Sequence, residues 1–531
     1  MEKHNPIFSL KNFRSFGEEG ADFELAPITV LTGCNSAGKS SLEKALMLMS
    51  MQNNKKGVAP ISSLQVSSKE LNLGRFDKVL HRNTKTDTIC LSYKIWSNYL
   101  QEDVLVNRFF RGGKNDMLNN GELKAFTIEK EDGTLIYKFR PNAIDYIYPE
   151  FEENDDAIRS NFLRFSKACS YVDIKRTISI LNLKDQLDEE MRMVKEKCES
   201  ELEILSNEMN QIRIEEYPFA YLRDFVNKRS PLEMTGIEKS LHESLSKEEI
   251  EEHYFRDYFR HVVDELVAPW FTNEILYIDS SSAQIDRIYD VDNGNKFCKA
   301  LRSLNAKLTA YHNGDYPQDS HAKYHKPLSF VNKWVKEFQI GDGIEVEGTA
   351  EGLGILVFLI KNGEKTLLAD EGYGITQLVS LLMQIDNTIP LYFEGTPTFD
   401  MEKFKTDYND MDMTYPRRVI CVEEPEVHLH PKFQSMLAEM FVEAYQKYNI
   451  HFIIETHSEY LIRRLQVMVA DKNNTLSTND VSLNYVEKDE NGTSHNRQIR
   501  IMENGRLDGS FGKGFYDEAG GLSRQLFILN E

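Results

Sequence analysis

Eight residues near the N-terminus, Gly33-Cys34-Asn35-Ser36-Ala37-Gly38-Lys39-Ser40, have the GxxxxGKS spacing of a phosphate-binding loop. Glycines let such a loop curl until consecutive N–H groups converge on phosphate oxygens, and a following helix adds the positive end of its dipole. In that arrangement Asn35, Ser36, Ala37, Gly38 and Ser41 surround the phosphates, Lys39 reaches the outer ones, and the Ser40 hydroxyl is a ligand for Mg2+. The competing reading is a tight strand-to-helix turn.

A phosphate site of this kind needs carboxylates. The apolar run Arg418-Val419-Ile420-Cys421-Val422 ends in Glu423-Glu424. The first acid is placed to hold Mg2+, usually through water, and the second to polarise an attacking water. Glu423 stands where Asp is usual, and the plainer reading is a strand ending in solvated acids. A second apolar run, Phe452-Ile453-Ile454, leads into Glu455-Thr456-His457-Ser458. Imidazole can donate a hydrogen bond to a γ-phosphate, which makes His457 the third catalytic candidate after Lys39 and Glu424. Taken alone, a histidine at a strand end is more often a polar cap.

The elements that must position these groups are legible as patterns. Residues 7–32 read as short strands broken by Gly17, Gly20 and Pro27, and Lys39–Met51 reads as a helix. Strand signals at Thr88–Trp96, Phe126–Glu129 and Leu135–Phe139, the last pair separated by Asp132-Gly133, predict an antiparallel annex over Ser62–Arg140. From about 150 to 272 the texture is charged and helical. Leu187, Met191, Val194, Cys198, Leu202, Leu205, Met209 and Ile212 recur every three or four residues, as in an amphipathic helix or a short coiled-coil arm. Strands then alternate with helices: Ile275–Asp279, Leu356–Ile360, Thr366–Ala369, Val419–Val422, His451–Glu455, Ser482–Glu487 and Gln498–Met502 against helices near Lys296–Tyr311, Leu328–Phe338, Thr376–Ile385, Pro431–Tyr448 and Glu459–Val469. The pattern predicts an α/β fold with a parallel core sheet covered on both faces. Three parts follow: 1–145 with the phosphate loop and annex, a helical insertion at 146–272, and 273–531 with the acidic strand and His457.

Several segments resemble the ABC-type ATPases of the SMC, RecF and OLD group. Lys11-Asn12-Phe13-Arg14-Ser15-Phe16 looks like their N-terminal NFRSF element, which implies nucleotide contacts for Asn12 and Arg14. Glu423-Glu424-Pro425-Glu426-Val427-His428-Leu429-His430-Pro431 is similar to the EEPExHLHP form of OLD-like members, with His428–Pro431 as the dimer-contacting D-loop rather than a zinc pair. Glu455–Leu461 resembles the TTHSxxLL switch. Such ATPases are completed across a dimer by a signature segment, for which Asp370-Glu371-Gly372-Tyr373-Gly374-Ile375-Thr376-Gln377 is the candidate, although it departs from LSGGQ. Gly372, Gly374 and Thr376 would meet the partner's phosphate there. Gln65 and Leu73-Gly74-Arg75-Phe76 occupy the part of the chain where a Q-loop would fall.

Leu507–Glu518 resembles the GxFxxGFFDE ending of stand-alone bacterial members, which sit in anti-phage cassettes, among other places, typically beside a separate nuclease or toxin; with 74 residues after His457, no Toprim domain is expected there. The resemblance implies ATP and Mg2+ as cofactors, a homodimer or higher homo-oligomer through the ATPase heads, and a separate effector partner. A RecF-like DNA clamp in repair or maintenance is the alternative. Its candidate contacts are Arg463-Arg464 and Arg108, Arg111 and Lys114, the last three read as a Gly-containing loop, although a solvated face or a phosphate-proximal charge is the commoner role for each. ATP is favoured over GTP because no NKxD element is present.

Composition bounds these readings. With 531 residues, 41% hydrophobic and 28% charged, the chain is ordinary for a globular protein of several units. Its net charge of −21 disfavours nonspecific adhesion to nucleic acid or anionic lipid. The longest apolar run, Ile355–Ile360, is far short of the ~20 residues of a spanning helix. Neither an export signal nor a CxxC pair is apparent, so the expected setting is a reducing cytoplasm without membrane contact.

Overall fold

The computed structural model describes residues 5–50, 63–68, 71–97, 100, 102–112, 120–140, 150–153, 275–279, 286–290, 296–314, 325–349, 354–389, 396–397, 413–414, 418–473, 476–512 and 518–529, with a few single positions between 195 and 266. The predicted Leu187–Ile212 seam, the insertion at 146–272 and residues 513–517 of the closing motif lie outside, apart from those few positions and the strand at 150–153.

A six-stranded sheet carries the chemistry. Its order is Leu276–Ile278, Arg418–Glu423, Ile450–Glu455, Ile28–Gly33, Val481–Lys488 and Ser494–Ile499; the first five strands are parallel and the last is antiparallel. Successive side chains of a strand face opposite sides. Here both sides are buried: Ile420, Val422, Phe452 and Ile454 enter one core, Val419, Cys421 and Ile453 the other. That two-sided burial explains why these strands read as continuous apolar runs instead of alternating ones. The helices Pro431–Tyr448 and Glu459–Ala470 cover one face. The first begins with Pro431 after His430, whose ring accepts from the Lys432 N–H, and ends at Asn449 with φ +53°. Ser458 caps the second by accepting from the Leu461 N–H at 3.2 Å.

The opposite face is closed by the loop helix Ser40–Ser50 and an antiparallel sheet. That sheet is larger than the annex expected at 62–140. Its order is Ala21–Glu24, Ile7–Lys11, Thr88–Ser97, Glu102–Gly112, Gly121–Lys130, Leu135–Arg140 and Glu150–Glu153, with Ser63–Leu64 on the side. The two N-terminal strands belong to it through pairing with Thr88–Ser97, a long-range register that no local pattern encodes.

Two further expectations are corrected. Arg108 and Arg111 lie on the strand Glu102–Gly112, not in a loop. Arg108 is fully buried, its guanidinium 3.3 Å from the Tyr93 hydroxyl, 3.7 Å from Met49 Sδ and over the rings of Tyr93 and Phe126. It ties the annex to the loop helix and is inaccessible to DNA. Gly354–Lys361 and Glu364–Leu367 likewise do not join the parallel sheet. They form a hairpin around Asn362-Gly363, φ +51° and +82°, in a separate antiparallel sheet with Gly343–Gly348 and Tyr289–Asp290. Among the described residues, no helix is long and apolar enough to cross a membrane.

Candidate nucleotide site

The carboxyl ends of three adjacent parallel strands converge. Glu423 and Glu455 are register partners, and Glu455 also pairs with Leu31, two residues before the phosphate loop leaves its strand. In an open parallel sheet this edge is where ligands bind, because helix N-termini and loops gather there.

The loop's shape follows from close backbone approach. A Cβ on Gly33 would lie 2.0 Å from the Val486 carbonyl oxygen of the neighbouring strand, and φ there is +137°. At Gly38, φ +109°, a Cβ would lie 2.4 Å from Ser15 Oγ and 2.9 Å from Ser494 Oγ. Ser494 also donates through its hydroxyl to the Ala37 carbonyl and through its N–H to Ser15 O at 2.8 Å. These two serines buttress the loop from outside, a role that motif spacing alone does not signal. Ser36, at φ +60°, is exposed beside Asn35, whereas Ala37 and Ser41 are buried.

Lys39 is buried and surrounded. Its ammonium lies 3.1 Å from His457 Nε2, 3.5 Å from Glu455 Oε1, and donates to the carbonyls of Gly33 and Cys34 at 3.4 and 3.2 Å. The Ser40 hydroxyl donates to Glu455 Oε2 at 2.7 Å. Glu424 lies 3.9 Å from His457 Nε2, with its own N–H on the Glu455 carbonyl at 2.7 Å and φ +44°, a left-handed conformation uncommon for glutamate and typical of functional turns. The His457 N–H donates to Glu426 Oε1 at 2.6 Å. Burial, then the Lys39 charge, holds His457 below the ordinary histidine range despite Glu424 and Glu455, so its Nε2 can accept from the Lys39 ammonium.

Two residues that motif spacing does not single out belong here. Glu455, which opens the switch-like segment, contacts both Lys39 and Ser40. Glu43, on the loop helix, is wholly buried, and one oxygen each from Glu43, Glu423 and Glu455 lie within 4.8 Å of one another. Burial above all, then the Glu455 and Glu423 carboxylates, pushes Glu43 well above the usual carboxylate range. An all-oxygen donor set suits a hard cation such as Mg2+. Signal for Glu43 did exist: an acid on the apolar face of an otherwise buried helix. Around Glu423, Lys44 lies 3.9 Å away, Arg14 is half-buried nearby, and the Tyr277 phenol is pushed up by burial and by Glu423.

Not every expected residue converges. The Asn12 amide donates to Thr86 Oγ1 at 3.0 Å and to the Thr88 carbonyl at 3.1 Å, both in the annex. Thr376 is buried, its hydroxyl donating to the carbonyls of Leu368 and Gly372 at 3.1 and 3.4 Å, so it stabilises the first turn of its own helix, Tyr373–Thr388, and faces inward. Gly372 and Tyr373 are exposed at that helix start. A Cβ on Gly374 would lie 2.5 Å from the His428 carbonyl oxygen, and the Tyr373 and His428 rings meet edge-on at 4.8 Å. The candidate signature segment and the candidate D-loop are thus packed together within one chain. The Arg463-Arg464 pair is neutralised by Glu459 and Glu439.

The profile of a family described as "AAA ATPase domain" matches residues 7–462, and that of one described as "Protein of unknown function (DUF3696)" matches 476–526. No curated protein matches significantly. Solved structures similar to this chain include an Smc head bound to the C-winged helix domain of ScpA (11% identity, 93% of this chain and 98% of that one, TM-score 0.36). Another is the Smc head domain with an extended coiled coil bound to the C-terminal domain of ScpA derived from Pyrococcus furiosus (10%, 98% and 99%, 0.34). A third is the SMC head domain from Thermotoga maritima (11%, 93% and 98%, 0.32).

Proposed function

The chain belongs to the AAA ATPase domain family, and on that premise we propose that it binds ATP with Mg2+ on the loop Gly33–Ser40, hydrolyses it, and uses the cycle as a switch. The observation that carries this reading is the convergence of Lys39, Ser40, Glu424 and His457 at one sheet edge, with His457 Nε2 between the Lys39 ammonium at 3.1 Å and the Glu424 carboxylate at 3.9 Å. Lys39 would turn from His457 and Glu455 to the outer phosphates, and Arg14 would add positive charge nearby. His457, freed of Lys39, would donate to the γ-phosphate. Glu424 is placed to take the proton of an attacking water, a role worth ~10²–10⁴-fold in rate. Ser40 and Glu423 would hold Mg2+, which when bound neutralises charge developing on the β- and γ-oxygens.

The family resemblance of Glu423–Pro431 and Glu455–Leu461 supports a second element: two copies closing on two ATP molecules through the exposed Gly372-Tyr373 helix start and the His428–Pro431 turn. Because those two segments pack against each other, a shift of the turn on hydrolysis would move the helix start with it. The switch would act on a separate effector, a nuclease or toxin, in bacterial anti-phage defence. Lys39→Ala should abolish ATP binding or turnover, and Glu424→Gln should retain ATP and accumulate a dimer by size exclusion with light scattering. Hydrolysis at the wild-type rate in both variants refutes the assignment.

A further inference from the structure

Glu43 lies three residues after Ser40 on the loop helix, is 0% exposed, and has no hydrogen-bond partner for either carboxylate oxygen. A buried acid left without hydrogen-bond partners is costly unless something compensates it. The nearby cations are committed elsewhere. Lys39 contacts Glu455 at 3.5 Å and Lys44 contacts Glu423 at 3.9 Å, while Arg14 feels Glu423. None of them bonds a Glu43 oxygen. What lies against Glu43 is the Glu423 carboxyl group, a second acid where a compensating cation would be expected.

The three acids come from three elements, the loop helix, the acidic strand and the switch strand, yet present one oxygen each within 4.8 Å of one another. In an octahedral shell with bonds of ~2.0–2.1 Å, adjacent ligands are about 3 Å apart and opposite ones about 4 Å, so shifts of under about 1 Å bring all three onto one ion. We propose that Glu43, Glu423 and Glu455 form a divalent-cation site that fills before nucleotide arrives, with Glu43 and Glu455 as direct ligands in addition to Ser40 and Glu423. A hard ion, Mg2+ or Mn2+, is the class that three carboxylates select. The Ser40 hydroxyl, already on Glu455 at 2.7 Å, stands at the edge of the same site. Lys39 shares Glu455 Oε1 at 3.5 Å, and its departure toward phosphate would leave Glu455 wholly to the ion already held. The inference rests on the proposed ATP site for the ion's place in the reaction; cation binding itself needs only the three acids.

The test is a Mn2+ titration of the full, nucleotide-free chain followed by electron paramagnetic resonance. One tightly held Mn2+ per chain is expected, with affinity reduced by at least about tenfold in Glu43→Gln and Glu455→Gln, since even outer-shell changes cost ~10–100-fold. Glu43→Leu should abolish the Mn2+-dependent rise in melting temperature while melting higher than wild type in metal-free buffer, because it removes an unpartnered buried acid. No stoichiometric Mn2+ on the nucleotide-free wild type, or an unchanged affinity in folded Glu43→Gln, overturns the inference. Should Glu43→Gln fail to fold, the wild-type titration and Glu455→Gln decide. Two wild-type measurements separate the claims: Mn2+ held without any ATP binding sinks the ATPase reading alone, and ATP turnover without a nucleotide-free Mn2+ site sinks this one alone.

Discussion

Replacing Glu455 with glutamine should tighten ATP binding in the absence of divalent metal, and its size can be worked from the contacts. Before Lys39 can serve a triphosphate it must leave His457, two loop carbonyls and Glu455. Its 3.5 Å separation from Glu455 exceeds the ~2.7–2.9 Å of a strong charge-assisted hydrogen bond, so the contact falls at or below the low end of the ~1.5–3 kcal/mol such bonds contribute, roughly 1 kcal/mol. Glutamine keeps an oxygen for the Ser40 hydroxyl, bonded at 2.7 Å in the wild type, so the loop stays in place. Removing a carboxylate beside the phosphates acts in the same direction. Together these give about 1–2 kcal/mol, or a ~5–30-fold gain in affinity, measured by titrating a fluorescent ATP analogue in EDTA. With saturating Mg2+ the gain should shrink or reverse, because Glu455 is then missed as a ligand. Equal or weaker binding in EDTA refutes the idea that Glu455 restrains Lys39, and an undiminished gain in Mg2+ refutes its role toward the cation.

Gly33→Ala should destabilise the chain by at least ~2 kcal/mol in chemical denaturation and abolish ATP binding, since the new methyl group meets the Val486 carbonyl at 2.0 Å and the backbone is held at φ +137°; a variant that unfolds like wild type and binds ATP contradicts this. His457 should titrate below ordinary histidine in selectively labelled protein, assigned among the 13 histidines by His457→Gln. Its folded-state value is depressed, so the native fold binds fewer protons there than the unfolded chain. The residue then costs nothing above the unfolded value near 6.5 and penalises folding increasingly as pH falls below it. Lys39→Ala should move the midpoint upward by removing a like charge, and an unmoved midpoint would show that Lys39 does not set it.

Much of the candidate site was legible because phosphate chemistry would constrain local sequence. A loop that curls around phosphate needs glycines at set positions, and a core strand buried on both faces must be a short apolar run, so Gly33–Ser40, Arg418–Glu424 and Phe452–His457 stand out without any fold. Helix limits marked by Pro431, Ser458 and Asn449 were equally local. The misreadings share one cause, dependence on partners distant in the chain. Ile7–Lys11 joins the annex only through Thr88–Ser97, Arg108 is covered by Tyr93, Met49 and Phe126, and Asn12 and Thr376 spend their polar groups on neighbours that spacing does not reveal.

From the order of its residues alone, this protein declares a candidate phosphate loop, two acids and a histidine, because each depends on neighbours within a few positions. That Glu423 lies beside Glu455, that Glu43 reaches both, and that Lys39 rests on His457 depend on strand register and on which helix covers which face. Those are set by burying both faces of one sheet at once, a condition that only the folded chain satisfies.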